Sequence, residues 1–255
     1  MPATLIVIGP SHYCEKVAWA LELAGIDYQR EIHAPAFHVP PVKRAGGTKT
    51  TPVLAVQDGD QRVVLDDSTL IFRWIQQQPG ARFRPYLDED SAEALALEER
   101  FDLDLGPATR RVAYWHLLPH RALALPIMIA GAPAWEQRLV SLGFPLLRAM
   151  MMKGMKINAE GARRSAAKID AVFDEVEALL ADGRPYLLGD RLSGADLTFA
   201  ALAAPLLLPA GYGAPLPALS ALPADAQAAL RAYIERPAGA FALRLYAEHR
   251  SPAAA

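Results

Sequence analysis

Leu5-Ile6-Val7-Ile8-Gly9-Pro10-Ser11-His12-Tyr13-Cys14-Glu15-Lys16-Val17 is the stretch on which the fold turns. Its first four residues form a continuous apolar run, which suits a central strand buried on both faces. Gly9-Pro10 ends that strand. Cys14 to Gly25 then reads as a helix, because Val17, Ala20, Leu21 and Ala24 share one face and Gly25 sits at the C-cap position. Tyr28 to Ile32 supplies a second strand, so the chain opens β-α-β. Ser11 is placed to be the N-cap of the helix, and Cys14 then falls at N3. A helix start presents unpaired N–H groups and about half a positive charge, which favours an anion, a thiolate included.

Outward from this stretch, residues 33–50 carry Pro35, Pro40, Pro41, Gly46 and Gly47 and read as irregular. Val53–Val56 and Arg62–Leu65 flank Asp58-Gly59, a hairpin signal. The next helix opens at Asp67-Ser68, takes its apolar face from Leu70, Ile71, Trp74 and Ile75, and stops at Pro79-Gly80. From about Ser91 the pattern is helical to the end, with segments expected over 91–117, 136–153, 159–182, 194–208 and 223–236. The connection 79–90 is the natural boundary. The expected architecture is an α/β domain over residues 1–80 followed by an all-α helical bundle over 90–255. The proline-studded stretch Pro205–Pro223 either covers a pocket or joins helices, and Ser251–Ala255 reads as a frayed end.

Composition narrows the function. The 26 Lys+Arg against 28 Asp+Glu give a formal net charge of −2, without the basic excess that broad nucleic-acid binding requires. One cysteine excludes an internal disulfide framework and an all-cysteine metal site, and a free thiol fits a reducing compartment, hence a cytoplasmic location. The six histidines lack an HExxH-like spacing, so no metal is expected. The N-terminus has no basic segment of the signal-peptide kind, and Leu197 to Ala210, interrupted by Pro205 and Pro209, is too short to span a bilayer.

Three short motifs carry the chemistry. Ser11-His12-Tyr13-Cys14 stands at a helix start, where Ser11 has an ordinary use as a cap. Thr51-Pro52-Val53 precedes a strand; a cis bond there leaves the backbone ahead of it free for a ligand, and a trans proline is the everyday alternative. Asp67-Ser68 opens a helix, where it either caps or holds the ammonium and carboxylate of an α-amino acid. Taken in order, the motifs resemble those of the cytosolic glutathione S-transferase family. Ser11 to Val17 resembles that family's S-P-Y-x-x-K-V, Thr51-Pro52-Val53-Leu54 its V-P-V-L, and Asp67 to Ile71 its E-S-x-A-I. Tyr186 to Asp190 with Leu192 to Asp196 resembles Y-L-x-G-D…x-S-x-A-D, in which Ser193 and Asp196 form a capping-box-like helix start. His12 in place of the usual proline departs from the pattern.

The resemblance implies a thioredoxin-like N-terminal domain, an all-α C-terminal domain, and a transferase that activates the glutathione thiolate for attack on an apolar electrophile, as in detoxification. By position, Ser11 would hydrogen-bond the glutathione sulfur, with Tyr13 the rival catalytic hydroxyl. The Thr51 backbone ahead of Pro52 would pair with the cysteinyl part, Asp67 and Ser68 would hold the γ-glutamyl end, and Lys49 or Lys43 would reach the glycyl carboxylate. Tyr114, Trp115 and Met151 are the candidates for the second-substrate pocket, within a soft cluster that also includes Met150, Met152 and Met155. Arg110 and Arg111 read as a solvated face or a subunit contact. A homodimer is implied. Two alternatives stand beside this reading: a glutathione-dependent thiol/disulfide reductase working through Cys14, and a non-catalytic glutathione- or protein-binding module on the same fold.

Overall fold

A computed structural model describes residues 2–59, 61–86 and 91–250. The N-terminal part runs β1 (Ala3–Ile8), α1 (His12–Ala24), β2 (Gln29–His33), α2 (Val39–Ala45), β3 (Val53–Asp58), β4 (Gln61–Leu65) and α3 (Ser68–Gln77). The four strands form one sheet in the order β2-β1-β3-β4. β1 is parallel to β2, with Leu5 opposite Arg30, and antiparallel to β3, with Ile6 opposite Val53. β3 is antiparallel to β4, with Leu54 opposite Leu65.

The continuous apolar run of β1 is explained by helices on both faces. Leu5 and Val7, with Leu54 and Val56, pack against Val17, Leu21 and Ile71 of α1 and α3. Ile6 and Val53 point the other way and meet Val42 and Ala45 of α2. α1 ends on Gly25 at φ 71°, a left-handed conformation that glycine adopts without a Cβ clash.

The C-terminal part is helical: α4 (Ser91–Arg100), a π-helical turn (Phe101–Leu105), α5 (Gly106–Leu117), α6 (Arg121–Ile129), α7 (Ala134–Gly154), α8 (Ala159–Leu179), α9 (Gly194–Leu207), α10 (Ala224–Ile234) and α11 (Pro237–His249). α9 is its core, with every residue from Gly194 to Ala204 buried. Its start is the expected capping box: the Asp196 carboxylate accepts from the Ser193 amide at 2.8 Å and from the Leu187 amide at 2.8 Å. An α/β domain followed by an all-helical domain is therefore the fold, as the sequence leads one to expect.

Several local expectations are corrected. Residues 33–50 are not wholly irregular, because Pro40 and Pro41 lie in the first turn of α2, where a missing N–H breaks no helical bond. The helix expected over 91–117 is interrupted at Phe101–Leu105. Pro107 has no amide to give Leu103, and the Gly106 amide bonds Phe101 instead. α6 was not expected and carries Pro126 inside it, while α11 lies beyond the last expected segment and opens on Pro237. Asp60, residues 87–90 of the expected connection and the expected frayed end Ser251–Ala255 lie outside the described residues.

Candidate functional site

The sheet register brings the three motifs to one edge. Ile8 ends β1 where antiparallel β3 begins at Val53, and β4 ends at Leu65 beside Leu54. The residues that follow β1, precede β3 and follow β4 are Ser11, Thr51-Pro52 and Asp67-Ser68.

Ser11 is the N-cap of α1, its hydroxyl accepting from the Cys14 amide at 3.5 Å. Cys14 faces inward and is 1% exposed. Burial pushes its thiol up, while Ser11, Thr51 and the Ile8 backbone pull the other way. These same contacts show that Cys14 lies between the first two motifs. The Thr51–Pro52 bond is cis. Asp67 caps α3 through one oxygen, which accepts from the Thr69 and Leu70 amides at 2.8 and 3.3 Å. Asp67 is exposed and Ser68 is buried. Lys43 and Lys49 are both exposed, and the Lys49 carbonyl accepts from His38 Nε2 at 3.1 Å.

Two residues depart from the expected roles. The Tyr13 hydroxyl donates to the Asp102 carbonyl at 2.6 Å, so its proton is engaged across the domain boundary rather than offered to a thiol. Burial, then the Asp102 charge, pushes its ionisation upward. Trp115 packs with Leu118 and Phe144 instead of lining the cavity beside Ser11. Successive residues of a helix stand about 100° apart, so Tyr114 reaches the cavity and Trp115 does not, although both pack against the Leu118–Phe144 cluster.

That cavity has a volume of about 400 Å³ and is walled by Ser11 and His12 of the α1 start, Pro35 and His38 of the segment after β2, Arg110 and Tyr114 of α5, and Met150, Met151 and Met155 from the end of α7. Of the three residues expected at a second-substrate pocket, Tyr114 and Met151 line this cavity. A smaller cavity of about 40 Å³ adjoins it across Pro10, His12, Arg110 and Tyr114 and is roofed by Pro205, Leu208, Tyr212 and Leu216. Tyr212 also donates to the Pro10 carbonyl at 3.0 Å, so the proline-studded stretch is part of the site's surroundings.

Beyond Tyr13, which bonds the Asp102 carbonyl, lies a buried polar network to which the sequence assigned no role. Lys16 Nζ donates to Glu98 at 2.9 Å and to both Asp102 oxygens at 3.0 and 2.8 Å, beneath the Phe72 ring. Thr69 donates to Glu98 at 2.9 Å, and the Tyr86 hydroxyl also donates to Glu98. Burial pushes the Asp102 carboxyl up to about 6 against the pull of Lys16. His12 is buried with Nε2 3.1 Å from the Gly106 carbonyl, and burial, followed by the Arg110 charge, pushes its imidazole down to about 3. A neutral ring donating from Nε2 satisfies that contact. A Cβ at Gly106 would lie 2.3 Å from the Tyr13 hydroxyl oxygen, so a side chain there displaces the Tyr13 ring from its bond to Asp102. Among the described residues no group of three or more His, Cys, Asp or Glu is placed to hold a metal, and no helix is long and apolar enough to cross a membrane.

Comparison with known proteins agrees with this geometry. Residues 10–78 match the family model described as glutathione S-transferase, N-terminal domain, and residues 159–236 that described as glutathione S-transferase, C-terminal domain. The chain belongs to the cytosolic glutathione S-transferase family. Its fold resembles the glutathione S-transferase CsGST63524 of Ceriporiopsis subvermispora in complex with glutathione, at 18% identity and TM-score 0.64, covering 99% of both chains. It also resembles the beta-etherase LigF from Sphingobium sp. strain SYK-6, at 17% identity and TM-score 0.61, covering 96% of this chain and 99% of that one. FzlA from C. crescentus is similar at 17% identity and TM-score 0.56, over 100% and 97%. A comparison with the curated proteins found no match. At such identities the structural likeness establishes the fold alone.

Proposed function

We propose that the protein is a glutathione transferase that ionises the glutathione thiol at the head of α1 and directs it at an apolar electrophile in the adjoining cavity. One observation carries this reading: Ser11, the cap of α1, is also a wall of the cavity of about 400 Å³. A thiol with pKa of about 8.5 is roughly 3% ionised at pH 7. Lowering that value by about two units takes about 2.7 kcal/mol of differential stabilisation and makes it roughly three-quarters thiolate, a gain of about 25-fold in the ionised form. The Ser11 hydroxyl and the unpaired amides of the first turn are the source of that energy. The Thr51 backbone ahead of Pro52 pairs with the cysteinyl part. Asp67, which has one oxygen outside its capping bonds, and Ser68 take the γ-glutamyl end, and Lys49 or Lys43 the glycyl carboxylate. The neighbour solved with glutathione supports the choice of thiol. The reading includes a homodimer in a reducing cytoplasm.

The reductase alternative needs an accessible, ionised Cys14, and burial opposes both. One experiment separates the readings. With a benzyl chloride as electrophile, Ser11→Ala lowers kcat at least tenfold while the glutathione KM changes by less than about threefold, and Cys14→Ala retains conjugation. Native turnover in Ser11→Ala reduces Ser11 to a cap; loss of all activity in Cys14→Ala favours the redox alternative.

A further inference from the structure

The cavity beside Ser11 is apolar on most of its wall, through Tyr114, Leu147, Met150, Met151 and Met155. Arg110 is the exception. It lines both this cavity and the smaller one adjoining it, and no Asp or Glu lines either among the described residues. The next residue, Arg111, is engaged: its Nε donates to the Met155 carbonyl at 2.9 Å and its guanidinium to the Ser165 hydroxyl at 2.6 Å. Arg110 has no such hydrogen-bond or ion-pair partner among the described residues, and it is only partly exposed. Its charge opposes protonation of His12 and favours ionised Tyr13 and Tyr114, which fixes the guanidinium close to the catalytic loop.

A half-buried guanidinium on an apolar wall, without a carboxylate of its own, is completed by an anion from outside, and its planar fork matches a carboxylate. The volume, about 400 Å³, lies in the range of small-molecule sites. Resting on the transferase reading above, we propose that Arg110 selects the second substrate: an amphipathic organic acid whose apolar body lies on the methionine wall, whose carboxylate is held by Arg110, and whose electrophilic carbon faces Ser11. With 4-(chloromethyl)benzoate as the probe, the thiol proton leaves to water as the thiolate forms. The sulfur pair then forms the C–S bond at the benzylic carbon, and the C–Cl pair departs with chloride.

The test compares this acid with methyl 4-(chloromethyl)benzoate, which carries the same reacting carbon and no charge. The native protein prefers the acid in kcat/KM. Arg110→Ala lowers the acid-to-ester ratio tenfold or more, through KM rather than kcat, and Arg110→Lys recovers part of it. Calorimetric binding of the unreactive 4-methylbenzoate, without glutathione, follows the same order. A ratio that Arg110→Ala leaves unchanged overturns the inference while leaving the transferase intact. Binding of 4-methylbenzoate that depends on Arg110, with neither chloride turned over, upholds the anion site and removes the transferase reading.

Discussion

Ser11, Tyr13 and Cys14 are three candidate donors within one helical turn, and burial separates them. Ser11 faces the cavity, Cys14 faces the sheet, and Tyr13 reaches across to Asp102. Tyr13→Phe removes a hydrogen bond from a half-buried carbonyl and is expected to lower stability by about 1 kcal/mol in chemical denaturation. It leaves the ionisation of bound glutathione where it is. A bound thiol that returns to its free ionisation range in Tyr13→Phe makes Tyr13 the sulfur's partner instead. The sequence could place all three residues at a helix start but could not rank them, since their distinct surroundings come from the helix–sheet contact and from Asp102, 89 positions away.

Elements with a strong local signal were legible, and those made by tertiary contact were not. The β1 run, the hairpin at Asp58-Gly59, the α1 stop at Gly25 and the Ser193–Asp196 box each rest on residues near one another in the chain. α2 and α6 carry prolines that read as breakers, and both are held by packing: Val42 and Ala45 on Ile6 and Val53, and Ala124 and Met128 on Phe144. α7 was expected, but its attachment to the sheet domain was not. Glu136 accepts from the Ala34 amide at 2.8 Å and pairs with His33 Nδ1 at 2.7 Å. Both Glu136 and His33 are buried, so Glu136→Ala strands two donors and is expected to destabilise by about 3 kcal/mol. Glu136→Gln, which keeps an acceptor for Ala34, loses less. Equal losses in equilibrium denaturation would show that the carboxylate's charge, not its hydrogen bonding, anchors α7.

The whole molecule is two domains packed through α1 against α9 and tied by the Lys16–Glu98–Asp102 network, and burial shifts the ionisation of two groups at this junction, His12 and Asp102. His12 falls from the ordinary 6.5 to about 3 in the folded state, so between those values the unfolded chain binds more protons and stability falls on acidification. Asp102, raised to about 6, acts oppositely: it adds stability at low pH that is lost as pH rises through 6. Comparing His12→Gln with the native chain isolates the first effect. Between pH 6.5 and about 3 the variant should gain on the native protein by about 1.4 kcal/mol for each pH unit of acidification, and no further below that. A difference independent of pH would mean that folded His12 titrates as it does when unfolded. Arg110, Tyr114 and the methionine wall lie between residues 79 and 158, outside both family matches; Tyr114 and Met151 could be named from the sequence, whereas Arg110 read as a solvated face or a subunit contact and is instead part of the cavity wall. The central claim, activation of a bound thiol at the α1 start, is met most directly by ultraviolet thiolate absorbance of bound glutathione as a function of pH. The account predicts ionisation about two units below free glutathione, lost in Ser11→Ala. Saturable binding with the thiol ionising at its free value would contradict it.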